Sequence, residues 1–175
     1  IGTSSPAQNL HISASTDTRI ALENTSNHRY DLVSGDSGEF RIWDTAVGER
    51  LRIASNGNVG IGTSSPSSKL HVNGDITATG NVTAYSDIRL KDNIEKIDDA
   101  LSKVSLLSGY TFDRTDVDTP RQTGVISQEV QAVLPEAVTE TDDGTLTVAY
   151  GNMMGLMIEA IKELKAEIDE LKGVK

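Results

Sequence analysis

Before residue 86 the apolar side chains recur at every second position, and after it at every third or fourth. A period of two suits a half-buried strand and a period near 3.6 suits a helix, so the chain must build two differently constructed parts. In the first part Val59, Ile61, Leu70, Val72, Ile76 and Val82 alternate with small or polar residues. Asn56-Gly57, Asn73-Gly74 and Gly80-Asn81 punctuate them as turn signals. Upstream, RIALEN, YDLVSG, GEFRIWD and RLRIAS read as four more short strands between Arg19 and Ala54. Strands this short bury little area each, and large apolar groups are few, so one copy of this part is expected to be marginal alone. The economical solution is several chains sharing one core, with strands interleaved around a common axis.

The same part carries an internal repeat. IGTSSPAQNLHI at Ile1–Ile12 returns as IGTSSPSSKLHV at Ile61–Val72. Each copy reads as a strand end, a Thr-Ser-Ser-Pro turn and a short strand. The proline suits the turn because it fixes φ and lacks an N–H. The chain opens on isoleucine, which is expected of a fragment of a longer protein.

From Ser86 onward the pattern turns helical. Ile94, Ile97, Ala100, Leu101, Val104 and Leu106 follow helical spacing, with a helix expected to begin near Asp87 and Ser86 suited to cap it. Gly109–Phe112 reads as a strand, Asp113–Gln122 as a polar loop, and Gln128–Leu134 as a short helix stopped before Pro135. Thr145–Tyr150 reads as a strand after the Asp143-Gly144 turn. Asn152–Lys172 reads as a long helix in which Met154, Met157, Ile161, Leu164, Ile168 and Leu171 form a heptad seam, which suits a self-association helix ahead of a helix packed on its own domain. Glu159 faces Lys162, while Glu163 and Glu167 are expected on a solvated flank.

Composition removes several functions. With no cysteine there are no disulfides and no thiolate metal sites. A formal net charge of -10 argues against nucleic acid or an anionic membrane as the main partner. No run is apolar enough to span a bilayer, and the start lacks a signal-peptide pattern. No pair of histidines has ligand spacing and no acidic cluster fits a calcium loop, so neither a metal nor a cofactor is expected. His11 and His71 occupy equivalent repeat positions and read as structural, and His28 stands alone. Asp113, Asp116 and Asp118 read as a solvated loop. Trp43 with Arg41 and Asp44 is the one constellation like a sugar-contact surface, although a single tryptophan in a β-rich protein more often sits in the core.

Three blocks, SDIRLKDNIEKIDDAL, GVISQEVQAVLPEAV and TVAYGNMMGLMIEAIKELKAEIDEL, closely resemble the intramolecular chaperone auto-processing domain. That self-cleaving domain ends phage tail fibres, tailspikes and neck appendages. The likeness runs from about Ser86 to Leu171, and a membrane-tethered animal transcription factor family shares it. GNVGIGTSSPSSKLHVNG upstream is similar to repeats of phage fibre shafts. Ala149 and Gly155 depart from the family pattern, which has aspartate at the first position and proline or alanine at the second.

The resemblance implies an α+β chain forming a homotrimer. Residues 1–86 would be the β-rich interleaved shaft. Residues 87–175, with the motif beginning at Ser86, would be the α+β chaperone domain ending in a coiled-coil helix. The domain would trimerise, guide folding of the shaft as its client, then release itself by cutting between Ser86 and Asp87 in a single turnover in cis. Ser86 would be the nucleophile and Lys91 its general base. The setting would be a virion fibre made in the host cytoplasm, with a host glycan or receptor met through the shaft.

A serine hydroxyl is a weak nucleophile until a base takes its proton, and a lysine is a base only when neutral. Burial disfavours the ammonium form, so Lys91 is expected in an apolar, water-poor pocket beside Ser86. The oxyanion also needs donors, for which Asn93, Arg89 and backbone N–H groups are the candidates. Gln128 and Glu129 either line that pocket or pack the assembly. The competing expectation is a structural trimeric fibre end that never comes off. It keeps the architecture but needs no neutral lysine.

Overall fold

The computed structural model describes residues 7–173 apart from 9 and 27. The first copy of the Thr-Ser-Ser-Pro turn therefore lies outside the described residues. The chain divides into two compact units between Ala84 and Tyr85. It is a mixed α+β protein.

The first unit is one six-stranded sheet: β1 (Thr18–Glu23), β2 (Arg29–Ser34), β3 (Phe40–Asp44), β4 (Gly48–Ile53), β5 (Val59–Ile61) and β6 (Leu70–Val72). Strands lie in chain order, each antiparallel to the last except β6, which runs parallel to β5. Tight loops make the hairpins. At the Asn56-Gly57 turn Gly57 has φ 79°, a backbone that a β-carbon would disfavour. All of these ladders pair within one chain. Short hairpin loops bring consecutive strands together at small entropic cost. Ile76 and Val82, expected in strands, lie beyond β6 in irregular, exposed chain.

The pairing register sets the chemistry of each face. Ile20, Leu32, Ile42, Leu51, Ile61 and Val72 stand opposite one another across all six strands, an unbroken apolar row. The other face is ionic. Asp31, almost wholly buried, takes Arg19 at 3.3 Å and Arg29 at 3.0 Å. Arg41 pairs with Asp17 and Glu39, and Arg52 grips Glu49. Val33 is the only fully buried large apolar residue of this unit among the described residues.

The loop between β5 and β6 is shorter than a usual parallel crossover. It closes because Gly60 has no side chain: a Cβ there would lie 2.4 Å from the Thr63 carbonyl oxygen. The repeat has a structural counterpart. The His71 Nδ1 accepts the N–H of Ser67 at 3.4 Å, and His11 Nδ1 accepts that of Ala7 at 3.0 Å. Both histidines thus brace the chain four residues back, the structural role expected of them.

The second unit has a core of its own. Its helices are α1 (Ala100–Ser105), α2 (Ser127–Val133) and α3 (Met154–Leu171). Two hairpins accompany them, β7 (Tyr110–Phe112) with β8 (Gln122–Gly124) and β9 (Val138–Glu140) with β10 (Leu146–Val148). Ala100, Val130, Leu134, Ala137, Met153, Leu156 and Ala160 form the buried cluster, so α3 contributes through its Leu156–Ala160 side.

The expected helix from Asp87 is mostly absent. Ile88–Leu90 makes one 3-10 turn, and chain without regular structure follows until α1. Asn93 and Asp99 adopt left-handed backbone, φ 50° and 46°, which interrupts a right-handed helix despite the apolar spacing.

Candidate active site

Ser86, Asp87, Lys91 and Asn93 all lie in the exposed stretch before α1. Asp87 opens the 3-10 turn, its side chain accepting the Arg89 N–H at 2.9 Å, so the capping task expected of Ser86 falls to its neighbour. That leaves the Ser86 hydroxyl free to face the turn's far end. Lys91 closes the turn, its own N–H bonded to the Ile88 carbonyl, and its Nζ reaches back to Ser86 Oγ at 2.9 Å. One turn of tight helix thus converts a five-residue separation into direct contact.

Arg89 clasps Asp87 through Nε at 3.0 Å and Nη2 at 2.6 Å. Those bonds first, and the Arg89 backbone N–H next, hold the Asp87 carboxyl below its usual range. Asp87 therefore stays anionic but answered by Arg89, and Lys91 is left to Ser86. The same clasp commits Arg89 away from the oxyanion role considered for it. Asn93 bonds through its backbone N–H to Asp92 at 2.9 Å, and no hydrogen bond joins it to Ser86 or Lys91.

The expected dry pocket around Lys91 is not formed by a single chain. Ser86 and Lys91 are exposed, and so are Tyr85 at 96%, Ile88 at 71% and Leu90 at 68%. A hollow lined by Tyr85, Asp87, Arg89 and Leu90 flanks the Ser86–Asp87 bond. Apolar groups are present around the pair, but nothing from the same chain covers them.

The α3 seam is also uncovered. Met154, Ile161, Leu164, Ile168 and Leu171 are exposed, Ile161 at 67% and Leu171 at 87%. The helix thus has two apolar sides, one docked on its own unit and one open.

Residues 86–139 match the sequence profile of the Peptidase S74 family, described as chaperone of endosialidase. This segment belongs to the endosialidase-chaperone family. Long tail fiber protein Gp37 of Enterobacteria phage K3 is 38% identical over 116 residues, spanning 58% of this chain and 9% of that protein. Its counterpart in Enterobacteria phage Ox2 is 36% identical over 118 residues, 59% of this chain and 47% of that protein. Myelin regulatory factor homolog 1 of Caenorhabditis elegans is 29% identical over 161 residues, 83% of this chain and 17% of that protein. The chain spans under half the length of each of these relatives.

Other residues singled out in the sequence lie away from the Ser86–Lys91 hydrogen bond. Glu129 accepts the Tyr110 hydroxyl at 2.6 Å and the Ser108 N–H at 3.1 Å, anchoring the turn into β7, while Gln128 is exposed. Asp113 pairs with Arg121 at 2.8 Å, and Asp116 with Arg114. Trp43 is partly buried on β3, and the polar groups beside it are taken: Arg41 by Asp17 and Glu39, Asp44 by Arg50 at 2.9 Å. Among the described residues no cluster of three or more His, Asp or Glu is placed to hold a metal ion. No helix there is long and apolar enough to cross a membrane.

One functional contact escaped the sequence reading. Glu163, expected on a solvated flank, accepts the N–H groups of Ala100 at 3.0 Å and Leu101 at 2.7 Å. It caps α1 from another helix because Asp99, at the cap position, makes no side-chain cap bond. A signal was available: Glu163 has glutamates four residues to either side and alanines three to either side, so no local cation answers it.

Proposed function

We propose that residues 85–175 form a self-releasing intramolecular chaperone at the end of a phage tail fibre. Three copies join through the open seam of α3 and hold their sheet units in register. That raises the local concentration of strands and lowers the entropic cost of building a shared core. The apolar sheet row running from Ile20 to Val72 is the surface such sharing would bury. Cutting between Ser86 and Asp87 then removes the chaperone, and the assembled fibre is kinetically trapped.

The observation that carries this reading is the 2.9 Å approach of Lys91 Nζ to Ser86 Oγ inside the segment that matches the family. At that separation a neutral amine can take the hydroxyl proton. The alkoxide adds to the carbonyl carbon of Ser86 itself, closing a four-membered ring whose strained ester is readily opened. The Asp87 nitrogen leaves as an amine, carrying the proton back from Lys91. Water then hydrolyses the ester and restores the serine. The dry surroundings that a neutral lysine requires would come from neighbouring copies, which have Tyr85, Ile88 and Leu90 to cover. Arg89 keeps Asp87 from competing for the amine.

The test is intact mass after expression of the chain beside Ser86→Ala and Lys91→Ala. The unaltered chain is expected to yield a fragment ending at Ser86, while both variants stay whole and keep the same oligomeric state. Normal processing in either variant refutes the assignment. A fragment ending at Tyr85 instead would point to attack on the preceding carbonyl through a five-membered ring. The exposure of Ser86 and Lys91 in one chain favours a second reading, a structural fibre end that is never cut. Only full-length mass under all conditions would support it.

A further inference from the structure

The residues just downstream of Lys91 are held by a single stripe of α3. Gly155, Glu159 and Glu163 are spaced four apart and so line one side of the helix. Ile97 packs over Gly155, its Cδ1 lying 3.4 Å from where a Cβ would stand. Lys96 Nζ meets Glu159 Oε2 at 3.0 Å. The two oxygens of Glu163 take the first N–H groups of α1, from Ala100 and Leu101. Every one of these contacts falls between residues 96 and 101.

Upstream, the chain has little else to hold it. Residues 92–95 are exposed, and Asn93 and Asp99 sit in left-handed backbone. The first N–H groups of a helix need a partner, and the local residue supplies none. Lys162 and then Lys96 hold the Glu159 carboxyl below its usual value, so it remains an anion facing Lys96.

We propose that Glu163 and Glu159 are positioning residues for the Ser86–Lys91 pair, so that scission waits until α3 has docked. The inference rests on the self-scission reading above. Its physical content is a latch. Lys91 lies five residues before Lys96, and a segment free at both ends samples many backbone states, few of which join Nζ to Oγ. Docking of residues 96–101 on α3 fixes one end and raises the fraction of chains with the pair in contact. Because α3 follows the Ser86–Lys91 segment in the chain, the cut is ordered after α3 has formed and docked. Glu163 touches no reacting atom and acts through α1, and Glu159 acts through Lys96.

Self-cleavage rates of the full chain test this at a temperature where circular dichroism shows each variant folded, with thermal melts taken on the uncut Ser86→Ala background. Glu163→Ala loses two charge-assisted bonds and is expected to slow the cut about tenfold. Glu163→Gln keeps its length and one acceptor oxygen and is expected to fall between. Lys96→Glu or Glu159→Lys should each slow cutting about two- to fivefold, as suits a pair with one exposed partner. The combination Lys96→Glu with Glu159→Lys should recover part of that loss, the share that belongs to Lys162 remaining, a rescue that a general loss of stability would not produce. Glu163→Ala cutting at the unaltered rate, or a charge swap as slow as both single changes multiplied, would overturn the latch while leaving the Ser86–Lys91 assignment intact. A parent chain that stays whole, or Ser86→Ala that still cuts, removes the assignment and the latch with it.

Discussion

The two units solve the problem of burial differently. The six-stranded sheet pairs its strands in continuous ladders and sets its charges against one another, yet its apolar row from Ile20 to Val72 is left half exposed. The second unit is built from less regular structure, with hairpins of three-residue strands, but it closes seven apolar residues into one cluster. Hydrogen bonding and hydrophobic burial are thus separable. The sheet has the first without much of the second, whereas the second unit has a core of its own and keeps a further seam open on α3.

That contrast can be broken most strongly at Leu156, which is fully buried where α3 meets the cluster. Leu156→Ala should cost about 2–5 kcal/mol. A thermal melt should lose the helical transition first, while amide exchange in β1–β4 stays slow. Equal loss in both units would deny their independence.

The matching change in the sheet is Gly60→Ala. Its Cβ meets backbone rather than a movable side chain, so the β5–β6 loop must open at a cost of about 1–3 kcal/mol. Faster amide exchange at residues 59–61 and 70–72, with α3 unaffected, is the expected outcome. Protection as in the unaltered protein would mean that the loop accommodates the methyl group.

A smaller effect of opposite sign is expected at Gly155, exposed near the start of α3. The added Cβ would touch Ile97 at ordinary contact distance, and alanine is the better helix former. Gly155→Ala should stabilise the second unit by about 0.5–1 kcal/mol, read as a raised melting temperature without change in the sheet.

The smallest is a local pH response. Bonds from the Thr141 hydroxyl first, and then the Thr145 N–H, pull the Asp143 carboxyl from 3.8 to about 2. A depressed value contributes stability above the unfolded value, and that contribution fades as pH falls through the folded one. Protection of the amides at residues 141–145, relative to unstructured chain at the same pH, should therefore fall between about pH 4 and pH 2, an effect that Asp143→Asn abolishes.

The strands from Thr18 to Ile53 were legible because each is a short run with β-branched or aromatic residues between polar breaks, and so was α2, ended by Pro135. The stretch after Asp87 misled because apolar spacing alone resembles a helix, while left-handed Asn93 and Asp99 break it locally. The dry pocket around Lys91 was inferred from chemistry, not from residues, and one chain alone leaves that lysine exposed. Glu163 was missed because its partners are backbone N–H groups more than sixty positions away, which carry no side-chain signature.

By itself the sequence determined the two periodicities, the boundary near Ser86 and the five-residue spacing of serine and lysine, because these are local and need only the geometry of strand or turn. Only the tertiary structure decided which side of α3 is spent on its own unit and that a distant glutamate holds the start of α1. Those outcomes depend on which surfaces compete for the same apolar groups and unpaired N–H donors. That competition is resolved only when all the elements are packed together.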